Sequence, residues 1–194
     1  YSYKRLRKCE YVIVITDHLK EYMINNGYES NRIFQISNML RINLQYEESE
    51  FHKPIVIGSY GRFVKQKGYE YLLDAIAILK NRGHNIKLIL GGEGEEETQL
   101  MNKAKKLGIR DITVFAGWIK DKEKFFAEID IFCLSSIHEP FGIVLLEAME
   151  YSKPIVSTNC EGPREILHHG VDALLAAVNS AEDLAEKLTY FVDN

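Results

Sequence analysis

Residues 55–82 read IVIGSYGRFVKQKGYEYLLDAIAILKNR, and the change of period inside this stretch decides the fold. Ile55 to Ser59 is an apolar, β-rich run too short for a stable helix, and it leads into a turn rich in glycine and positive charge. From Tyr69 to Arg82 the period becomes helical. Tyr69, Leu72, Leu73, Ile76 and Leu79 fall on one face, and Gly83 ends the segment.

The same alternation continues downstream. Apolar runs at Ile86 to Leu90, Ile112 to Ala116, Ile129 to Leu134 and Ile155 to Thr158 are separated by helix-like segments. Alternation of this kind predicts a parallel sheet with helices on both faces, a Rossmann-like α/β domain. In an open parallel sheet ligands bind beyond the carboxyl ends of the strands, so the strand-to-helix loops are the ones to read for chemistry. Upstream, Tyr11 to Ile15 reads as a strand, Asp17 to Asn26 as a helix closed by Gly27, and Arg32 to Ile36 as a second short strand. Arg41 to Lys53 carries a cluster of acids without a period, as a linker does. The expected division is residues 1–40, a linker at 41–53, and the alternating domain at 54–194.

The chain has 194 residues and ordinary apolar and charged fractions, enough for a real core without disulfides or a structural metal. A net charge of −4 gives no support to a dominant interaction with nucleic acid or anionic lipid. The three cysteines, Cys9, Cys133 and Cys160, are odd in number and widely spaced, which points to reduced thiols and a cytoplasmic protein. No stretch of roughly 18 apolar residues occurs. The charged opening at Tyr1 reads like the inside of a longer protein. The basic stretch from Lys4 to Lys8 reads as the solvated face of a helix, with contact to anionic lipid or a charged acceptor as the other reading.

Four loops carry candidate chemistry. Ser59 to Gly68 places Arg62 and Lys67 near a helix start, where guanidinium, ammonium and unpaired backbone N–H groups make an anion site; a solvated basic turn fits the same residues. In Gly91-Gly92-Glu93-Gly94, three positions without side chains would let the backbone approach a ligand, or simply make a turn. Ala116 to Ile119 sets the single tryptophan, Trp118, at a strand end, where a flat base could rest; packing is the alternative.

The fourth loop, Ser135 to Glu147, is the most informative. Pro140 suits a helix start, and the amides of Gly142, Ile143 and Val144 would face phosphate oxygens. Glu147 is embedded among Val144, Leu145, Leu146, Ala148 and Met149, so it needs a specific partner if buried. Helical rise places Glu139 and Glu147 on the order of 10 Å apart. That suits two contacts along a long ligand better than an acid and base flanking one bond. His168 and His169 lack a third ligand at metal spacing. His138, beside Glu139, reads as a packed or solvated loop histidine.

In this order, Gly61-Arg62 with Lys67-Gly68, Gly91 to Gly94, Glu139-Pro-Phe-Gly142 with Glu147, and Glu161-Gly-Pro-Arg-Glu165 resemble the retaining GT-B glycosyltransferases, family four in the usual sequence classification. The resemblance implies a GT-B fold, with residues 1–40 the end of the N-terminal acceptor-binding domain and 54–194 the nucleotide-sugar-binding domain. It makes Arg62, Lys67 and Glu139 the catalytic candidates. Arg62 and Lys67 would bind the donor diphosphate, Glu139 the sugar hydroxyls and Glu147 the ribose. Phe141, Gly142, Ile143 and Val144 would hold the phosphates and sugar through their amides. Trp118 and Ile119 would border the base, and Gly92 and Glu93 would join the donor site. Pro163 and Glu165 would lie in the helix closing this side of the cleft.

The implied activity is metal-independent transfer of a hexosyl group, with retention, from a nucleoside diphosphate sugar to a glycan or lipid-linked acceptor. No cofactor is implied beyond the donor itself, and peripheral contact with the inner face of a membrane is left open for the full-length protein. A nucleotide-sugar epimerase of the same fold and a non-catalytic nucleotide-binding module remain the alternatives, and the fragment alone is expected to bind nucleotide without transferring sugar. Ser37-Asn38-Met39 and Gly170 to Leu175 depart from the family pattern.

Overall fold

The computed structural model describes residues 9–40 and 51–194. The expected basic helix face at residues 4–8 and most of the expected linker, residues 41–50, lie outside them. The first unit is small. Strand β1 (Val12–Val14), helix α1 (Asp17–Asn25) and β2 (Ile33–Gln35) make a β-α-β piece whose two strands run parallel, with Val12 opposite Ile33. Val14, Met23 and Ile33 form its core. Thr16 caps α1 by accepting from the Leu19 N–H at 3.3 Å.

The second unit alternates throughout. Its elements are β3 (Ile55–Tyr60), α2 (Tyr69–Asn81), β4 (Ile86–Gly91), α3 (Glu97–Lys106), β5 (Thr113–Gly117), α4 (Lys122–Ala127), β6 (Ile131–Leu134), α5 (Ile143–Glu150), β7 (Ile155–Thr158), α6 (Glu161–Ile166), β8 (Leu174–Ala176) and α7 (Ala181–Asp193). All neighbouring strands are parallel, in the order β5-β4-β3-β6-β7-β8. The sixth strand, β8, has no counterpart among the runs read from sequence: three residues past Gly170 are too few to show a period.

Successive strand residues point to opposite faces, and the core divides accordingly. Ile57, Leu88, Leu90, Ile131 and Cys133 pack with residues of α2, α3 and α7, including Leu72, Ile76, Leu100 and Leu184. Val56, Ile89, Phe132 and Leu134 face the other way, onto Phe125 and Phe126 of α4 and Leu145 and Ala148 of α5. Leu72, Leu73, Ile76 and Leu79 are fully buried, as the helical period of residues 69–82 requires. Each such side chain contributes roughly 1.5–3 kcal/mol by leaving water.

Starting from β3, the chain adds β4 and β5 on one side and then crosses to place β6 on the other. The crevice at this reversal lies at the carboxyl ends of β3 and β6. At the amino ends, buried Asp130 accepts from the N–H groups of Val56 (2.7 Å) and His52 (3.0 Å), fastening the approach to β3 onto the start of β6. No helix among the described residues is long and apolar enough to cross a membrane.

Candidate functional site

The loops after β3, β4 and β5 are tied together by backbone hydrogen bonds. Gly61 N donates to Gly91 O (3.0 Å), Phe63 N to Glu93 O (2.9 Å), and Gly92 N to Gly117 O (2.6 Å). The glycines here serve this contact: a side chain on Gly92, whose φ is +134°, would begin 1.9 Å from Gly61 O. Of the two readings of Gly91, Gly92 and Gly94, close approach of a ligand or a plain turn, the contacts at the missing side chains are with neighbouring loops. The neighbouring loop takes that space first, and what remains forms one wall of a cleft.

The cleft has a volume of about 700 Å³. It gathers Arg62, Gly92, Glu93, Trp118, Ile119, Val144 and Glu147, seven of the positions singled out from sequence, with Tyr60 and Lys122 added. Trp118 is 65 % exposed, so core packing does not account for it.

Lys67, Glu139, Phe141, Gly142 and Ile143 are outside the cleft's lining. Lys67 Nζ pairs with Glu139 Oε2, and the fold brings them together by stitching two loops. Ile137 N and His138 N donate to Gln66 O at 2.8 and 3.2 Å, and Ser135 Oγ donates to Lys67 O at 3.0 Å. The loop holding Glu139 is steadied from behind, where Thr158 Oγ1 donates to Ser136 O (2.6 Å) and Gly162 N to Glu139 O (2.9 Å). This pair adjoins the cleft through Lys67: a side chain on Gly61, which lines the cleft, would begin 3.8 Å from Lys67 Cε. Phe141 is buried, with Gly162 packed against its backbone.

Helix α5 begins at Ile143 with Gly142 as its cap, at φ +98°. Pro140 therefore stands before the cap, not in the first turn. The left-handed glycine, which ends the loop abruptly, sets the helix start instead. Glu147 is 5 % exposed and does have specific partners: Tyr60 Oη donates to its Oε2, and Lys122 Nζ pairs with its Oε1. Burial, followed by the Glu147 contact, pushes the Tyr60 phenol well above the usual tyrosine range.

Sequence reading missed both partners. Tyr60 carried a signal, since it continues the period of two from Val56 on the sheet face opposite Ile57. Lys122 carried none, because Lys120, Lys122 and Lys124 are equivalent in a charged run.

The remaining singled-out residues face elsewhere. His138 is exposed and lies 2.8 Å from Glu161 Oε1. His168 bonds within its own loop to Asp172, and His169 Nδ1 accepts from Leu175 N. Pro163 is buried in α6, whereas the Glu165 carboxylate reaches the first unit and accepts from Asp17 N and His18 N, both at 2.8 Å.

Residues 42–194 match the family described as Glycosyl transferases group 1. The lipopolysaccharide core biosynthesis glycosyltransferase LpsE of Rhizobium meliloti (strain 1021) is 39 % identical over 137 residues, covering 71 % of this chain and 39 % of that protein. Mannosylfructose-phosphate synthase of Agrobacterium fabrum is 33 % identical over 201 residues, covering 92 % and 44 % respectively. Among solved structures, Anabaena HepE in complex with UDP-glucose superposes with a TM-score of 0.88 at 26 % identity, covering 100 % of this chain and 59 % of that one. The chain thus spans about half the length or less of the two curated relatives.

Proposed function

This chain belongs to the group 1 glycosyltransferases, and from that membership we propose that it is the nucleotide-sugar-binding half of a retaining enzyme. The enzyme would transfer a hexosyl group from a nucleoside diphosphate sugar to a glycan or lipid-linked acceptor in the cytoplasm. Residues 54–194 are the donor domain in this reading, and the first unit is the end of an acceptor-binding domain.

The observation that carries the reading is the juxtaposition of Arg62 and Glu147 in one cleft beyond the strand ends, with the Lys67–Glu139 pair beside it. A cation and a buried carboxylate lining the same cleft suit a ligand with a diphosphate and a ribose. The bound UDP-glucose of HepE is a ligand of this class in a similar fold.

Arg62 and Lys67 take the diphosphate, joined by the first-turn amides of α5 at Ile143 and Val144. Phe141 and Gly142 shape the turn that presents them. An ammonium has three donors, so Lys67 can hold Glu139 and a phosphate oxygen together. Glu139 takes the sugar hydroxyls, Glu147 the ribose, and Trp118 and Ile119 border the base, with Gly92 and Glu93 forming the opposite wall. When the anomeric carbon–oxygen bond breaks, its electron pair leaves with the diphosphate. Positive groups already in place stabilise that charge more in the transition state than in the bound donor.

Calorimetry with UDP, GDP, ADP and their common sugar conjugates tests the assignment. At least one nucleoside diphosphate should bind. Glu147→Gln should weaken diphosphate and conjugate alike, by about tenfold or more, whereas Glu139→Gln should weaken the conjugate alone. Binding by none of the three diphosphates would reject the reading, and the reverse mutant pattern would show that the two ends of the ligand are exchanged.

A further inference from the structure

Three elements converge on Glu147. The end of β3 supplies Tyr60, the first position of α4 supplies Lys122, and the interior of α5 supplies the carboxylate. The two oxygens are held separately, Oε2 by the Tyr60 hydroxyl and Oε1 by the Lys122 ammonium.

The Tyr60 hydroxyl is held in place through its ring. Phe125, Phe126 and Phe132 meet that ring edge-on, with centroids 5.0, 6.0 and 5.8 Å away. Two of these phenylalanines belong to α4, the helix that also presents Lys122. Asp121 caps α4 by accepting from Lys124 N at 2.9 Å, which sets where its first residue stands. One short helix therefore both locks the tyrosine ring and delivers the lysine.

Resting on the reading of Glu147 as the ribose ligand, we propose that Tyr60 and Lys122 are positioning residues that aim Glu147 at the ribose diol. They thereby set the cleft's preference for ribonucleotides over nucleotides without 2′- and 3′-hydroxyls. A carboxylate oxygen accepts about two hydrogen bonds. With one site on each oxygen taken by the protein, one site on each is left, and the pair matches two vicinal hydroxyls. The raised phenol keeps Tyr60 a donor across the working pH range. Lys122 offsets the charge of a carboxylate whose side chain is only 7 % exposed, while its own side chain, 48 % exposed, reaches in from the cleft's edge.

A purely structural role for the two residues makes a different prediction, so calorimetry can separate them. The intact chain is titrated with UDP, GDP and ADP, and then with the 2′,3′-dideoxy form of the tightest binder. The unmodified protein should prefer the ribonucleotide by at least about tenfold. Tyr60→Phe, which keeps the packed ring, and Lys122→Met should each shrink that ratio about fivefold or more, with dideoxynucleotide affinity within about twofold of the parent. In a Glu147→Gln background, Tyr60→Phe should add no further loss, because the interaction it acts through is already gone.

An unchanged ratio in both variants, or equal weakening of both nucleotides, overturns the proposal. Should Tyr60→Phe not fold, the half-exposed Lys122→Met decides alone. If the parent binds nucleotide but ignores the diol, the ribose role of Glu147 falls and this inference with it, while the nucleotide reading stands. If no nucleoside diphosphate binds, both fall.

Discussion

Lys67 is engaged with Glu139, and its side chain is 19 % exposed, whereas Arg62, earlier in the same loop, is exposed and lines the cleft. The two cations should therefore separate when stability and binding are measured side by side. Arg62→Ala should leave stability within ~0.5 kcal/mol, as surface changes usually do, and weaken diphosphate binding about tenfold or more. Lys67→Ala should weaken binding and also cost about 1–3 kcal/mol in a urea melt, because it leaves a mostly buried Glu139 carboxylate without its counter-charge. The double variant should lose at least about a hundredfold in affinity, two charge-assisted contacts having gone. Unchanged affinity there would remove both residues from the diphosphate site. Identical melts for the two single variants would mean that the ion pair contributes nothing to the fold.

Between β3 and α2 the chain makes a 3-10 turn, Lys65–Lys67, and closes it with Gly68 at φ +61°. A side chain on Gly68 would begin 2.2 Å from Ser135 O, a backbone atom of the loop that carries Glu139. Gly83, at the other end of α2, shares the positive φ (+90°) but has nothing within 4 Å of the equivalent position. Alanine at either glycine meets the left-handed backbone penalty of roughly 1–2 kcal/mol. Only at Gly68 is a clash added, at a cost of roughly 1–3 kcal/mol. Gly68→Ala should therefore be the more destabilising by at least about 1 kcal/mol, and it should lower nucleotide affinity while Gly83→Ala leaves affinity unchanged. Equal losses in chemical denaturation would show that the two loops separate freely and that Lys67 and Glu139 are not held together by this turn. The distinction lies at the level of elements, since neither glycine touches the cleft's charged groups directly.

Across the whole molecule, Cys133 is fully buried on β6 in the larger core and Cys160 is buried beside α6, while Cys9 is exposed near β1. Burial pushes both buried thiols above the ordinary cysteine range, so at a given pH less thiolate is present, in addition to the steric block. Near neutral pH a thiol reagent should label one cysteine per chain quickly and the other two only on global unfolding; three fast-reacting thiols would contradict the packed sheet. The buried site of Cys133 was readable from the apolar run Ile131 to Leu134, as were five of the six strands of the sheet and the helix over residues 69–82. These depend on periods set by backbone geometry, which a few neighbouring residues express. β8 escaped notice because three residues show no period and become a strand only by pairing with β7. The motif residues Arg62, Lys67, Glu139 and Glu147 stood out in sequence, but the pairing of Lys67 with Glu139 and the two partners of Glu147 did not. Lys67 meets Glu139 across 72 positions, Lys122 meets Glu147 across 25, and Tyr60 meets Glu147 across 87. The sequence by itself determined the alternation of strands and helices and the loops in which chemistry could sit, because those follow from local spacing. Only the tertiary structure decided which cation faces which carboxylate, because those pairings exist only once the strand order β5-β4-β3-β6-β7-β8 has brought distant loops to one end of the sheet.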